Sequence, residues 1–291
     1  YSSNQMEASD ILKKLSGGEG LYHGSPSQYN NPLGMWIVDY FCRTKKQRGS
    51  DKKNYKLGYG AVCSNVAQKL IGRYYFEGKD RQEIKDHDYN NNFNYEYGLY
   101  LKDPKDEYDL KIRESVVDNL HKTTANVLKA VKEIHGNDEL SCERTVTLKP
   151  KDLIFEIQGR IDYEGKVFSE CKTKPCKPNG YTNSLPKDPL PANIKQVAFY
   201  RFASDKEPFI FYANEKDYII FDRSHPALKD DHLEYAYNEL VQKAFTIQRL
   251  LFVSNGDPHV MASLVEKPDL NHWMMSDVSQ EQLDIIKKLW G

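Results

Sequence analysis

Residues 158–172 read Gln-Gly-Arg-Ile-Asp-Tyr-Glu-Gly-Lys-Val-Phe-Ser-Glu-Cys-Lys, and three of these side chains could do chemistry together: Asp162, Glu170 and Lys172. Side chains alternate faces along a strand. Glu170 and Lys172 are two apart and share a face, while Cys171 takes the other. Glu164-Gly165 is a hairpin-type turn signal that brings Asp162, on the preceding strand, beside Glu170. Unpaired buried charge is costly. A divalent cation offsets it, because Mg²⁺ takes carboxylate and carbonyl oxygens and keeps several waters. The expected metal ligands are Asp162, Glu170 and the backbone carbonyl of Cys171. A cation held there makes water a better nucleophile. Lys172 is placed to orient that water or to stabilise charge developing on phosphoryl oxygens. A solvated hairpin carrying ordinary surface charges has the same spacing, so context must decide between the two readings.

The elements that would position these residues follow from periodicity. A short helix is expected from Glu7 to Leu15, then a break at Gly17-Gly18. Ser25-Pro26-Ser27 reads as a helix start ahead of the apolar stretch from Leu33 to Phe41. The polar, basic segment from Arg43 to Lys56 is expected as an exposed loop. Helical spacing returns from Val62 to Phe76, and residues 79–97, polar and Asn-rich, read as a loop or exposed hairpin. Asp109 to Ile134 is expected as a long helix ended by His135-Gly136-Asn137. The period then becomes that of strands, at Glu143–Leu148, Leu153–Tyr163 and Lys166–Lys172, and again at Phe209–Asn214 and Tyr218–Asp222. Helices are expected at Ile194–Phe202, Leu233–Val253 and Gln280–Trp290. The order predicts one α/β domain over residues 1–291: a mainly helical part with a basic loop (1–140), a sheet core (141–222) and C-terminal helices (223–291).

Gly159-x-x-Asp162 followed by Glu170-x-Lys172 on the next strand resembles the core of PD-(D/E)XK nucleases. Gln196-Val197-Ala198-Phe199-Tyr200 is similar to the Gln-x-x-x-Tyr helix motif of the RecB-type, lambda-exonuclease-like group. Positions four apart share a helix face, so Gln196 and Tyr200 would both face the site. Glu143 stands where an acidic residue often precedes the Gly-x-x-Asp strand in these enzymes, and Ser25-Pro26-Ser27 with Trp36 behind it resembles their entry helix. The resemblance implies a restriction-endonuclease-like fold, a small mixed central sheet flanked by helices. It also implies a Mg²⁺-dependent deoxyribonuclease in which Mn²⁺ substitutes, with Asp162, Glu170, Lys172, Gln196 and Tyr200 as catalytic residues. It points to an exonuclease of repair, recombination or replication, acting on DNA and working with a single-strand-binding or annealing protein. A restriction-type endonuclease and a catalytically weak DNA-binding module are the alternatives on the same core. The sequence departs from the family upstream: Cys63 stands where that group places a metal-binding His or Glu, and His121 is a candidate substitute.

Composition is compatible with this. Net charge is −1, so phosphate contacts would fall to local stripes. One runs from Arg43 to Lys56 and includes Lys45, Lys46, Lys52 and Lys53; the other contains Lys172, Lys174 and Lys177. The five cysteines, Cys42, Cys63, Cys142, Cys171 and Cys176, form no C-x-x-C pair, which argues against structural zinc and for a reducing intracellular compartment. No cysteine follows Cys176, so an iron–sulphur cluster built on a late cysteine trio is not expected. No membrane span is expected either.

Overall fold

The computed structural model describes residues 2–16, 22–48 and 54–291. In chain order its elements are α1 (Ser2–Leu15), α2 (Leu33–Ile37), α3 (Lys45–Arg48), α4 (Tyr55–Ile71), β1 (Tyr74–Glu77), β2 (Asp80–Glu83), α5 (Tyr89–Lys102), α6 (Glu107–Ser115) and α7 (Val117–His135). There follow β3 (Ser141–Leu148), β4 (Ile157–Glu164), β5 (Phe168–Thr173), α8 (Pro191–Ser204), β6 (Pro208–Ala213), β7 (Tyr218–Phe221), α9 (Asp230–Ser254), α10 (Pro258–Leu264) and α11 (Gln280–Leu289). The fold class is α/β, with a seven-stranded mixed sheet ordered β2-β1-β3-β4-β5-β6-β7 and flanked by helices. The β4–β5 and β6–β7 pairs are antiparallel, whereas β5 and β6 run parallel. Among the described residues, no helix is long and apolar enough to cross a membrane.

The chain divides into two compact units: Tyr1–Ser50 with Thr147–Gln158 and Tyr237–Gly291, and Asp51–Val146 with Gly159–Ala236. In the first unit, Tyr22 packs edge-on against Phe155, Tyr40 and Trp36. The helix expected after Ser25-Pro26 begins instead at Leu33, behind Pro32, and its end widens into a π turn over Val38–Cys42. The segment from Arg43 is not a plain exposed loop. Arg43 is buried between Asp39, at 2.5 Å, and Asp277, at 2.9 Å, and Gln47 donates to Gln282 at 2.9 Å. Lys45 and Lys46 lie exposed on α3, while Lys52 and Lys53 fall outside the described residues, as do Gly17 and Gly18.

In the second unit, α4 and α7 lay Tyr59, Val62, Cys63, Val66, Leu120, Val127 and Val131 against Tyr163 and Phe211 of the sheet. Each such side chain, fully buried, contributes about 1.5–3 kcal/mol. Asn54 caps α4 by accepting from the amides of Lys56 and Leu57. The helix read from Val62 to Phe76 ends at Ile71, because Tyr74, Tyr75 and Phe76 are taken into β1, where aromatics pack well on a pleated surface. Residues 79–97 follow expectation only in part: β2 completes an exposed hairpin with β1, but Tyr89 opens α5. The buried positions of α5 are Asn92, Phe93, Glu96 and Tyr100, half of them polar. Glu96 is satisfied by Lys69 at 2.7 Å and Asn65 at 3.1 Å, so a hydrophobic pattern does not reveal this helix. The expected long helix over 109–134 breaks at Val116 into α6 and α7.

Candidate active site

The β4–β5 register pairs Tyr163 with Ser169 and Glu164 with Phe168; continued by one position, it sets Asp162 opposite Glu170. The ladder does not continue there. Amides of even-numbered residues around β5 face β6, as Lys174 N→Ala213 O at 2.8 Å shows, so the Cys171 amide faces β4. It donates at 2.8 Å not to a carbonyl but to Oδ2 of Asp162. Like charges directly opposite on a sheet repel, and here one of them is buried as well: Glu170 is 2 % exposed, while Asp162 is half-buried. The expectation named the Cys171 carbonyl as the useful group, but the contact that positions Asp162 comes from its N–H.

Lys172 Nζ stands 3.0 Å from Oε1 of Glu170 and donates at 2.9 Å to Oε1 of Gln196 on α8. Gln196 Nε2 in turn donates to the Tyr200 hydroxyl at 3.0 Å. The helix that carries both starts at Pro191 and is tied to β6 by Tyr212, whose hydroxyl accepts from Leu190 N and donates to Asn193. Gly159 permits the close approach of α8: a Cβ there would lie 2.7 Å from Cε1 of Tyr200. The glycine of one motif thus makes room for the tyrosine of the other. Tyr200 is buried.

Two carboxylates on β4 differ sharply in their company. Glu164 receives Arg144 Nη2 at 2.6 Å and Lys206 Nζ at 3.2 Å; despite burial, these cations hold it below the usual carboxylate range. Asp162 has no such cation of its own. Burial, then Glu170 and Glu143, raise it well above the ordinary value, against the pull of Lys172 and the Cys171 amide. Glu170 is also raised, by burial and by Glu143, though Lys172 opposes this. Burial alone would lower Lys172, but Glu170 and Asp162 outweigh it and hold the ammonium above its usual value. Asp162 and Glu170 therefore share one close ammonium, and Glu143 beside them has Arg160 at 3.6 Å. Oε2 of Glu170 is buried and has no hydrogen-bond partner.

Glu143 sits in β3 at φ 60°, a left-handed conformation that costs energy in a non-glycine residue. Gln68 of α4 donates to its Oε1 at 2.8 Å and reaches the Asp162 carbonyl at 3.4 Å. Periodicity does not point to Gln68, because a polar residue on an amphipathic helix reads as solvent-facing, yet Gln68 is fully buried. Other expected residues lie elsewhere. His121 stacks on Phe93 at 3.6 Å and its Nδ1 contacts the Tyr89 hydroxyl at 2.8 Å; it is not among the groups acting on Asp162 or Glu170. Cys63 is packed in the core, with Sγ toward Leu120 O. Lys174 directly follows β5, whereas Lys45 and Lys46 belong to the first unit.

Among the described residues, no three His, Cys, Asp or Glu side chains form a ready-made metal-binding group. Lys172 occupies one oxygen of Glu170, and the Cys171 amide occupies one of Asp162. The donor set nonetheless suits a hard cation: carboxylate oxygens, one of them buried and without a partner, in a surplus of negative charge. Compared with protein-family models, with curated proteins and with solved structures, the chain matches none.

Proposed function

We propose that the chain is a metal-dependent deoxyribonuclease of the PD-(D/E)XK type. The observation that carries this reading is a contrast across β4 and β5: Glu164 is neutralised by two cations, while Asp162 and the buried Glu170, opposite each other, share Lys172. Buried carboxylates left in surplus are costly unless a cation joins them. Asp162 and Glu170 would hold Mg²⁺ or Mn²⁺, with Glu143 beside them. When bound, the ion supplies positive charge that acidifies water and neutralises phosphoryl oxygens.

The chain's own residues do the rest. The Cys171 amide fixes the Asp162 carboxylate, and Gln68 fixes Glu143. Lys172 presents a charge to the phosphoryl group, where a preorganised donor acts on charge that develops during the reaction. Gln196 orients Lys172, and Tyr200 orients Gln196. Exonucleolytic, end-directed cleavage in repair, recombination or replication rests on the Gln196-x-x-x-Tyr200 resemblance. End-labelled linear DNA and covalently closed circular DNA, each incubated with Mg²⁺, Mn²⁺ or chelator, test it. Metal-dependent loss of linear DNA alone supports an exonuclease; loss of both indicates the endonuclease alternative. No cleavage with either ion would remove the enzymatic reading.

A further inference from the structure

Next to Lys172 lies a groove of about 320 Å³. Its walls include Lys56, Gly60 and Ser64 of α4, Lys172 and Thr173 of β5, and Pro175. Among the described residues, those lining it include no carboxylate. The Lys56 ammonium, two hydroxyls and the free side of Lys172, whose other side Glu170 holds, suit a phosphodiester backbone. Lys172 belongs both to this groove and to the carboxylate cluster, so the two are continuous.

The groove is small and its walls are tied. Its volume is at the lower end of what holds a single small ligand. The Tyr55 hydroxyl at the start of α4 donates to Cys176 O at 3.1 Å, and the Tyr55 amide donates to Asp109 at 2.8 Å. Asp109 is itself held by Arg113 Nε at 2.8 Å, and all three bonds are buried. Widening the groove would break them and leave buried polar groups without partners. Gly60 matters to its width: a Cβ there would lie 2.9 Å from Oγ1 of Thr173.

We infer that this groove carries a single nucleic-acid strand to Glu170 and Lys172, with Lys56 as a backbone contact, and that a duplex does not fit it. The inference rests on the nuclease reading and adds the form of the substrate. Lys56 is exposed in the first turn of α4, which holds no acidic residue. A carboxylate suits a helix N-terminus, so Lys56→Glu should fold as the parent does, which a thermal melt checks.

The test is fluorescence anisotropy with a labelled oligo-dT strand and with the same strand in a duplex, in chelator so that nothing is cut. The parent should bind the single strand more tightly than the duplex. Lys56→Glu should weaken single-strand binding by about tenfold and reduce the slope of log affinity against log salt by about 0.7. Gly60→Val, which narrows the groove without touching charge, should weaken binding and leave that slope unchanged. Duplex binding as tight as single-strand binding, or unchanged affinity in Lys56→Glu, would overturn the groove assignment alone. A parent protein that binds neither form would remove the nuclease reading on which it rests.

Discussion

The amide of Cys171 donates to Oδ2 of Asp162 at 2.8 Å, where the β4–β5 register would otherwise present it to a β4 carbonyl. The bond ends the ladder at the point where Asp162 and Glu170 face each other. It fixes a carboxylate that the sheet would otherwise repel from its partner, and its consequences are measurable.

Asp162→Asn and Glu170→Gln should abolish cleavage while making the metal-free protein more stable at neutral pH. Both carboxylates are raised in the folded chain, by burial first. A raised carboxylate contributes stability below its unfolded pKa, and that contribution is lost as pH rises. At pH 7 ionising the pair therefore works against folding. Removing one charge should add about 1 kcal/mol, or roughly 2–4 °C in melting temperature. Mg²⁺ should stabilise the parent but not Asp162→Asn. Parallel melts with and without the ion check this; equal melts for all three samples would contradict it.

Lys172→Ala should retain metal binding and lose turnover. The ammonium faces Glu170 and Gln196, and its proposed task is to stabilise charge on phosphate. Deleting a donor of that kind costs about 100-fold in rate. Rates at saturating Mg²⁺, set beside calorimetric metal affinity, separate the two effects. Lost affinity with a preserved saturated rate would assign Lys172 to the wrong step.

Gly159→Ala should damage both stability and rate, although residue 159 contacts no proposed ligand. Its added methyl would press on Tyr200 at 2.7 Å, and Tyr200 supports Gln196. Overpacking of this sort costs about 1–3 kcal/mol. Tyr200→Phe keeps the ring and should lose the hydroxyl's bonds from Gln196 and from the Arg160 backbone, about 1 kcal/mol each. Gln196→Ala, which removes the contact to Lys172 itself, should slow cleavage more than Tyr200→Phe does.

His135 predicts acid sensitivity away from the site. It is buried with Nε2 2.7 Å from Ser169 Oγ, its Nδ1 lacks a partner, and burial lowers its pKa to about 4. In the unfolded chain a histidine titrates near 6.5. Between those values the unfolded state binds the extra proton, so stability is full above about pH 6.5 and falls toward pH 4, by up to roughly 3 kcal/mol. Urea melts from pH 7 to pH 4.5 measure the slope, and His135→Gln should flatten it. An identical slope in the variant would assign the acid sensitivity to other groups.

Alternation and turn chemistry made part of this molecule readable in one dimension. A two-residue period with Glu164-Gly165 between the strands is enough to set Asp162, Glu170 and Lys172 on one hairpin face, and the 3.6-residue period is enough to pair Gln196 with Tyr200. The strands β3 to β7 and the helices α8, α9 and α11 were legible for the same reason: a half-buried element writes its period into its sequence. The tertiary structure decided what local period cannot carry. Whether a carboxylate is neutralised depends on cations distant in the chain: Arg144 and Lys206 reach Glu164 and leave Asp162 to Lys172. Gln68 becomes a buried contact of Glu143 only because α4 packs on the sheet, and α5 stays hidden in the sequence because its buried stripe is completed by Lys69 and Asn65 of another helix. Periodicity reports which side of an element is buried; it does not report which distant charge or amide meets it there, and that meeting sets the electrostatics of the site.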